Sequence, residues 1–195
     1  MIGKAFTHYL GVLRGAELPY TQTTCAERDL LGEYLPGKKS IVEIGVFEGL
    51  TSRVLAAASD SDAIIYGVDP FFSGRLGICW GLQITKHYNR DYISAGKLKL
   101  VKTLSIEVGD QIPTPVDYVF IDGDHSLEGI TADWAFWSSR VISGGIIALH
   151  DTVLRPDQGK SSELGSHRYF QSHIQHDSRY ELIHQVDSLS VLRSR

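Results

Sequence analysis

With 195 residues, 43% of them hydrophobic and 22% charged, the chain has enough apolar material for one sizeable core and too little length for two ordinary domains. Its 19 glycines and 6 prolines follow no period, and a mean hydropathy of -0.08 excludes collagen-like, low-complexity and membrane-embedded chains. A net charge of -4 with a pI near 6.0 argues against a surface that grips a polyphosphate backbone, so the expected partner is a small molecule, not nucleic acid or a membrane.

Cys25 and Cys79 form no CxxC pair, which favours free thiols in a reducing compartment. Met1 to Gly15 lacks a long apolar stretch, and no later run approaches the ~18 residues of a membrane span. The expected location is the cytoplasm.

One domain is read over 1–195, with a helical N-terminal segment at 1–39 and the core at 40–195. Ala5 to Leu13 can pack on its own domain or on a second copy, which leaves a homo-oligomer open. Thr24 to Leu35 is predicted as a helix capped by Thr23 or Thr24. Ser40 to Gly45 is a β-branched strand, Leu50 to Ala58 a helix, and Ile64 to Asp69 the next strand. Further strands are expected at Leu98 to Lys102, Val116 to Asp122 and Gly145 to His150. Between the last two, Glu128 to Arg140 has Ile130, Trp134 and Trp137 at helical spacing. Tyr180 to Val186 and Leu189 to Leu192, separated by Asp187-Ser188, read as a hairpin. Alternating strands and helices closed by an antiparallel pair define a doubly wound α/β domain with one reversed strand. Phe71 to Gly81 and Asp151 to Ser166 remain unassigned and, following strand ends, are candidate binding loops.

In such a sheet, ligands bind beyond the carboxyl ends of the strands. Here those ends carry acids. Glu43-Ile44-Gly45-Val46-Phe47-Glu48-Gly49 leaves the first strand and enters a helix whose start offers free N–H groups. Phe47 stands where a GxGxxG loop needs its second glycine, so a pyrophosphate would meet an aromatic ring. Asp69, ending the second strand, suits the two hydroxyls of a ribose. Glycine loop and acid together imply a nucleoside without a diphosphate.

The runs VEIGVFEG at 42–49, YGVDPF at 66–71, DYVFIDGDHSLEG at 117–129 and SGGIIALHDT at 143–152 resemble those of class I S-adenosylmethionine-dependent methyltransferases. The likeness is greatest to the small O-methyltransferase-like branch (methyltransferase 24 type) related to catechol and caffeoyl-CoA O-methyltransferases. The resemblance implies a seven-stranded Rossmann-like sheet of order 3-2-1-4-5-7-6 with helices on both faces. It also implies that the loop of Glu43, Gly45, Val46, Phe47 and Gly49 receives the methionine part of the cofactor, with the Thr51 hydroxyl near its carboxylate. Asp69 would hold the ribose, Pro70 and Phe71 would flank the adenine, and Ser105 would lie at the adenine edge. Asp122 would face the cofactor from the fourth strand.

Methyl transfer needs alignment and removal of the acceptor's proton. Asp122 and Asp151 end strands expected to be neighbours, and carboxylates that close repel unless a cation or a proton lies between them. One reading places Mg²⁺ or another divalent cation on Asp122, Asp151 and Thr152, the last standing where metal-dependent relatives carry Asn or Asp. The other reading has the aspartates capping turns or binding substrate directly. His125 stands where catechol-type enzymes carry a catalytic lysine and is the favoured base, with Asp124 to orient it; His150 is the competing base or a softer ligand. His167, His173, His176 and His184 share no ligand spacing and read as solvated or packing residues. Trp80, in an unassigned loop, can stack on a flat substrate.

The expected activity is S-adenosylmethionine-dependent O-methylation of a small-molecule hydroxyl, with a divalent ion as the open question. The alternatives are a nicotinamide-dependent oxidoreductase and a non-catalytic module that binds S-adenosylmethionine.

Overall fold

The computed structural model describes residues 3–74, 77–154 and 164–195. In chain order the elements are α1 (Lys4–Leu13), α2 (Cys25–Glu33), β1 (Ser40–Ile44), α3 (Leu50–Ala58), β2 (Ile64–Val68), α4 (Trp80–Tyr88) and α5 (Arg90–Ser94). They continue with β3 (Leu98–Val101), β4 (Val116–Ile121), α6 (Leu127–Trp137), β5 (Val141–Leu149), α7 (Gly165–Ser172), β6 (Tyr180–Val186) and β7 (Leu189–Ser194). The seven strands form one sheet of order β3-β2-β1-β4-β5-β7-β6. β1 to β5 run parallel and β7 runs antiparallel to both β5 and β6. This is the Rossmann-like architecture and strand order expected.

Period-two alternation splits the strands between two cores. In β1, Val42 and Ile44 face one side with Val119 and Ile121 of β4, under Trp134 and Trp137 of α6 and Phe170 of α7. Ile41, Tyr118 and Phe120 face the other, against Leu30 and Leu31 of α2 and Leu55 of α3. Burying each such aliphatic or phenylalanine side chain contributes roughly 1.5–3 kcal/mol, which is why central strands apolar on both faces sit inside the sheet. α2 begins with a capping box: Thr24 Oγ1 accepts from the Glu27 N–H (3.1 Å) and Glu27 Oε2 accepts from the Thr24 N–H (2.7 Å). Thr24, not Thr23, is the cap.

Helices α4, α5 and α7 fall where the sequence reading assigned none, and α1 lies within the N-terminal segment read as helical. α1 rests on α4, where Trp80 meets Phe6 edge-on (5.1 Å between centroids) and Tyr9 at a tilt (5.2 Å). Trp80 is thus the first residue of a helix with an aromatic partner set of its own, which corrects its assignment to a substrate-stacking loop. α7 falls at the end of the unassigned Asp151 to Ser166 stretch; residues 155–163 of that stretch, and 75–76 of the other, lie outside the described residues. Among the described residues no helix is long and apolar enough to cross a membrane, and Cys25 and Cys79 are free.

The order reverses between β1 and β4, and there a crevice opens beyond the strand ends. Gly45, Asp69, Asp122 and His150 are the residues that follow Ile44, Val68, Ile121 and Leu149.

Candidate active site

The turn after β1 is shaped by close approach. Gly45 has φ +87° and an added Cβ would stand 2.1 Å from the Asp122 carbonyl oxygen, so only glycine fits. The neighbouring strands close over it, with the Gly45 N–H donating to Val68 O (2.9 Å) and the Asp122 N–H to Ile44 O (2.8 Å). Asp69 is the clamp of this turn: its Oδ2 accepts from the N–H groups of Val46 (3.0 Å) and Phe47 (3.2 Å), and its Oδ1 from that of Phe71 (2.6 Å). Both carboxylate oxygens therefore organise backbone, a task the sequence did not disclose. Beneath the turn, Glu43 is fully buried and accepts from the Ser52 hydroxyl, while its Oε1 has no hydrogen-bond partner. Burial pushes the Glu43 carboxyl up to about 8, with Asp122 and Asp69 adding to the rise and Ser52 opposing it.

A cavity of about 200 Å³ lies over this turn, with Gly45, Val46, Phe47, Thr51, Asp122 and His125 on its walls. Tyr20, Thr21 and Gln22 close it from the N-terminal segment. They are held there by Glu48, which accepts from the Tyr20 N–H (2.6 Å) and lies 2.9 Å from His8 Nε2, and by the His8 ring stacked on Tyr20 at 3.7 Å. The N-terminal segment thus supplies part of the crevice. Nothing in the local pattern at 20–22 announces this, because these residues meet the site only through tertiary contacts.

A second cavity, about 610 Å³, shares Gly45 and Gly123 with the first and extends between β2 and α6. Pro70, Ser105 and Phe72 line it. Phe71, expected beside the adenine, is 2% exposed in the core, whereas Phe72 is 78% exposed. Phe71 takes φ +45°, and this left-handed turn buries the first ring and presents the second. Ser105 donates to Asp133 of α6, whose carboxyl is pushed up by burial, then lowered by Ser105 and raised by Asp124. Asp133 also lines the cavity. It was missed, although a carboxylate one residue before Trp134 on the apolar face of a helix is a signal in itself.

The acids of β4 and β5 meet at the far edge of the smaller cavity. His125 reaches both, its Nε2 3.9 Å from Asp122 Oδ1 and its Nδ1 3.5 Å from Asp151 Oδ2, with its side chain 30% exposed. Asp124 does not orient it: Asp124 Oδ1 accepts from the Ser126 N–H (2.9 Å), a local turn bond. The backbone of His125 is held instead by α7, through the Ser166 N–H donating to its carbonyl (3.3 Å).

His150 is placed differently, with a side chain 1% exposed. Nδ1 lies 2.9 Å from Asp122 Oδ1, at ion-pair distance without hydrogen-bond alignment, and 3.6 Å from Asp151 Oδ2. Nε2 lies 3.2 Å from Glu27 Oε2 and 3.1 Å from Ser188 Oγ. Ser188 arrives because β7 runs back along β5, with Leu149 opposite Ser190. Burial alone would lower the His150 pKa, but Asp122, Asp151 and Glu27 outweigh it and raise the value to about 12. Glu27 shows the converse: burial would raise its pKa, while His150, Ser188 and the Thr24 N–H bring it down to about 2.

The residues considered for a divalent ion do not assemble around one. The Thr152 hydroxyl is fully buried and committed to β7, donating to Ser188 O (3.0 Å) and lying 2.6 Å from Ser190 Oγ. The His150 ring stands between Asp122 and Asp151, and among the described residues no group of three or more His, Cys, Asp or Glu is arranged to hold a metal. His167 bonds the Thr152 carbonyl (2.7 Å), His173 stacks on Tyr169 (4.6 Å) and His184 meets Tyr34 (3.4 Å), as expected of dispersed packing histidines.

The match to known proteins follows this geometry. Residues 42–152, which carry the glycine turn, Asp69, His125 and Asp151, match a family model described as a methyltransferase domain. No curated protein matches the chain by sequence. Among solved structures, the O-methyltransferase TomG from Streptomyces achromogenes, in complex with SAM, is 18% identical with a TM-score of 0.68 over 98% of this chain and 90% of that one. The O-methyltransferase from Bacillus cereus, in complex with SAH, is 15% identical with a TM-score of 0.68 over 98% and 91% of the two chains. An rRNA methylase from Streptococcus thermophilus is 16% identical with a TM-score of 0.59 over 90% and 99%. The fold is thus shared by enzymes with different acceptors, and the family assignment rests on the matched sequence: the chain belongs to the methyltransferase domain family.

Proposed function

We propose that this protein transfers the methyl group of S-adenosylmethionine to the hydroxyl of a small molecule, with His125 as the base. The observation that carries the reading is that the glycine turn and His125 line one cavity, so a methionine moiety over Gly45 to Thr51 would direct its methyl toward the imidazole. Adenosine would extend into the larger cavity beside Phe72, with Ser105 and Asp133 at its base edge, and Pro70 nearby. The unpartnered Glu43 Oε1 lies beneath the turn that would receive the amino acid part.

Within this reading the acceptor oxygen gives its proton to His125 as it attacks the methyl carbon. Bound S-adenosylmethionine would supply the methyl electrophile, its carbon–sulfur electron pair remaining on sulfur in the S-adenosylhomocysteine released. Asp151 and Asp122, 3.5 Å and 3.9 Å from the ring nitrogens, would stabilise the imidazolium that forms. Alignment supplies most of the remaining acceleration. His150 does not compete for the proton, because acceptors face both of its nitrogens.

A cavity of about 200 Å³ and a net charge of -4 favour a small acceptor over a nucleic acid. Phe47, 53% exposed in the turn, disfavours a nicotinamide dinucleotide, whose pyrophosphate needs bare backbone. Calorimetric titration with S-adenosylmethionine and S-adenosylhomocysteine tests the cofactor. S-adenosylhomocysteine release across a panel of phenols and alcohols separates an enzyme from a binding module. Tight NADH binding in place of S-adenosylhomocysteine would overturn the proposal.

A further inference from the structure

Asp122 and Asp151 leave neighbouring parallel strands, whose backbones lie about 5 Å apart. Two carboxylates at such a separation need positive charge between them, and this chain brings its own. The His150 ring lies at 2.9 Å from one and 3.6 Å from the other through Nδ1. On its far side, Ser188 gives its hydroxyl hydrogen to Glu27 Oε1 (2.7 Å), and the Ser188 N–H donates to the same oxygen (2.9 Å). With its hydrogen committed, the Ser188 oxygen can only accept from His150 Nε2, as does Glu27 Oε2 at 3.2 Å.

Nε2 therefore faces two acceptors, while Nδ1 makes no aligned hydrogen bond but faces the Asp122 carboxylate at 2.9 Å, where a lone pair would be repelled, so the surroundings favour a hydrogen on each nitrogen. A ring in that state has no lone pair for a metal. Its Nδ1 also lies 2.9 Å from Asp122 Oδ1 and 3.6 Å from Asp151 Oδ2, whereas an ion such as Mg²⁺ would require oxygen ligands at roughly 2.0–2.1 Å in near-octahedral array. Thr152, the third candidate ligand, turns its hydroxyl to Ser188 O and Ser190. Among the described residues, the charged groups near the ring include Glu27 from α2, Asp122 after β4 and Asp151 after β5, with His125 near both aspartates from the cavity.

We propose that the His150 imidazolium takes the place of a divalent cation in this acidic rim, pinned from behind by Glu27 and Ser188, and that the site works without a metal. The proposal rests on the methyl-transfer reading above for the meaning of the rim, but its test does not depend on turnover. Mn²⁺ alone is the probe, followed by electron paramagnetic resonance on the full chain with S-adenosylhomocysteine present. The expected result is that the spectrum of free Mn²⁺ is unchanged by an equal concentration of protein. In parallel, nitrogen-15 NMR of the His150 side chain is expected to show both ring nitrogens protonated from neutral to mildly alkaline pH.

Uptake of one Mn²⁺ per chain that Asp151→Asn abolishes would overturn the proposal, as would a neutral His150 ring at neutral pH. Failure of S-adenosylhomocysteine to bind in the companion calorimetry would instead remove the methyl-transfer reading, so the two failures are distinguishable.

Discussion

The pairing of His150 with Glu27 makes a quantitative prediction about stability. His150→Asn keeps a polar side chain of similar reach but removes the positive charge that faces the fully buried Glu27 carboxylate. Depression of Glu27 from 4.5 to about 2, shared among His150, Ser188 and the Thr24 N–H, corresponds to roughly 3.5 kcal/mol in all at about 1.4 kcal/mol per pKa unit, and breaking a buried pair from one side costs about 3–5 kcal/mol. The two routes agree on the scale. For a chain of this length each kcal/mol moves the melting temperature by roughly 2–4 °C, so the variant should melt about 10 °C lower. The assay is thermal and urea unfolding at neutral pH for wild type, His150→Asn, Glu27→Gln and the double variant, whose neutral pair should regain much of the loss. Since the folded Glu27 value lies below its unfolded one, the contribution of the pair is complete above pH 4.5 and disappears as pH falls toward about 2. From the other side, the folded His150 value lies above its unfolded one, so the contribution is complete below pH 6.5 and fades as pH rises toward about 12. These two statements describe one pair and are not summed. A His150→Asn cost under about 1 kcal/mol with no coupling in the cycle would refute the idea of a buried ion pair.

Other variants probe the crevice. His125→Ala should lower turnover by about 10²–10⁴-fold while calorimetric S-adenosylhomocysteine affinity stays close to wild type; loss of both together would argue against a role as base. Gly45→Ala drives a Cβ to 2.1 Å from Asp122 O at φ +87°, and should abolish S-adenosylhomocysteine binding or folding altogether, as read by calorimetry and circular dichroism. The adjacent phenylalanines should part company. Phe71→Ala is expected to cost about 3–5 kcal/mol of stability in chemical unfolding, whereas Phe72→Ala, altering an exposed ring, should leave stability within about 0.5 kcal/mol and weaken nucleoside binding.

Much of the sheet is legible because its signals are local. Ser40–Ile44 and Ile64–Val68 are short β-branched runs, and Leu50–Ala58 follows a glycine turn with a helical period behind it. The Asp187-Ser188 link between β6 and β7 similarly announces a hairpin. α4 and α7 are less legible: the aromatic contacts of Trp80 in α4 are completed by Phe6 and Tyr9 from α1, and a period is visible only when its own helix supplies it. Residues of the candidate site divide the same way. Gly45, Asp69, Asp122, His125 and Asp151 stand at strand ends, where a doubly wound sheet collects polar groups, and can be named from position.

Glu27 and Ser188 cannot, since each has a sufficient local role. Glu27 closes a capping box with Thr24, and Ser188 completes a tight turn before β7. The chain by itself determined the alternation, the turns and the acidic strand ends, because these depend on backbone preference and on neighbours a few residues away. Which of Phe71 and Phe72 faces the nucleoside cavity, what Asp69 grips, and that His150 is walled in by acceptors from α2 and β7 were decided only by the tertiary structure. Burial and charge pairing act between groups that meet through space, and separation along the chain carries no record of that meeting.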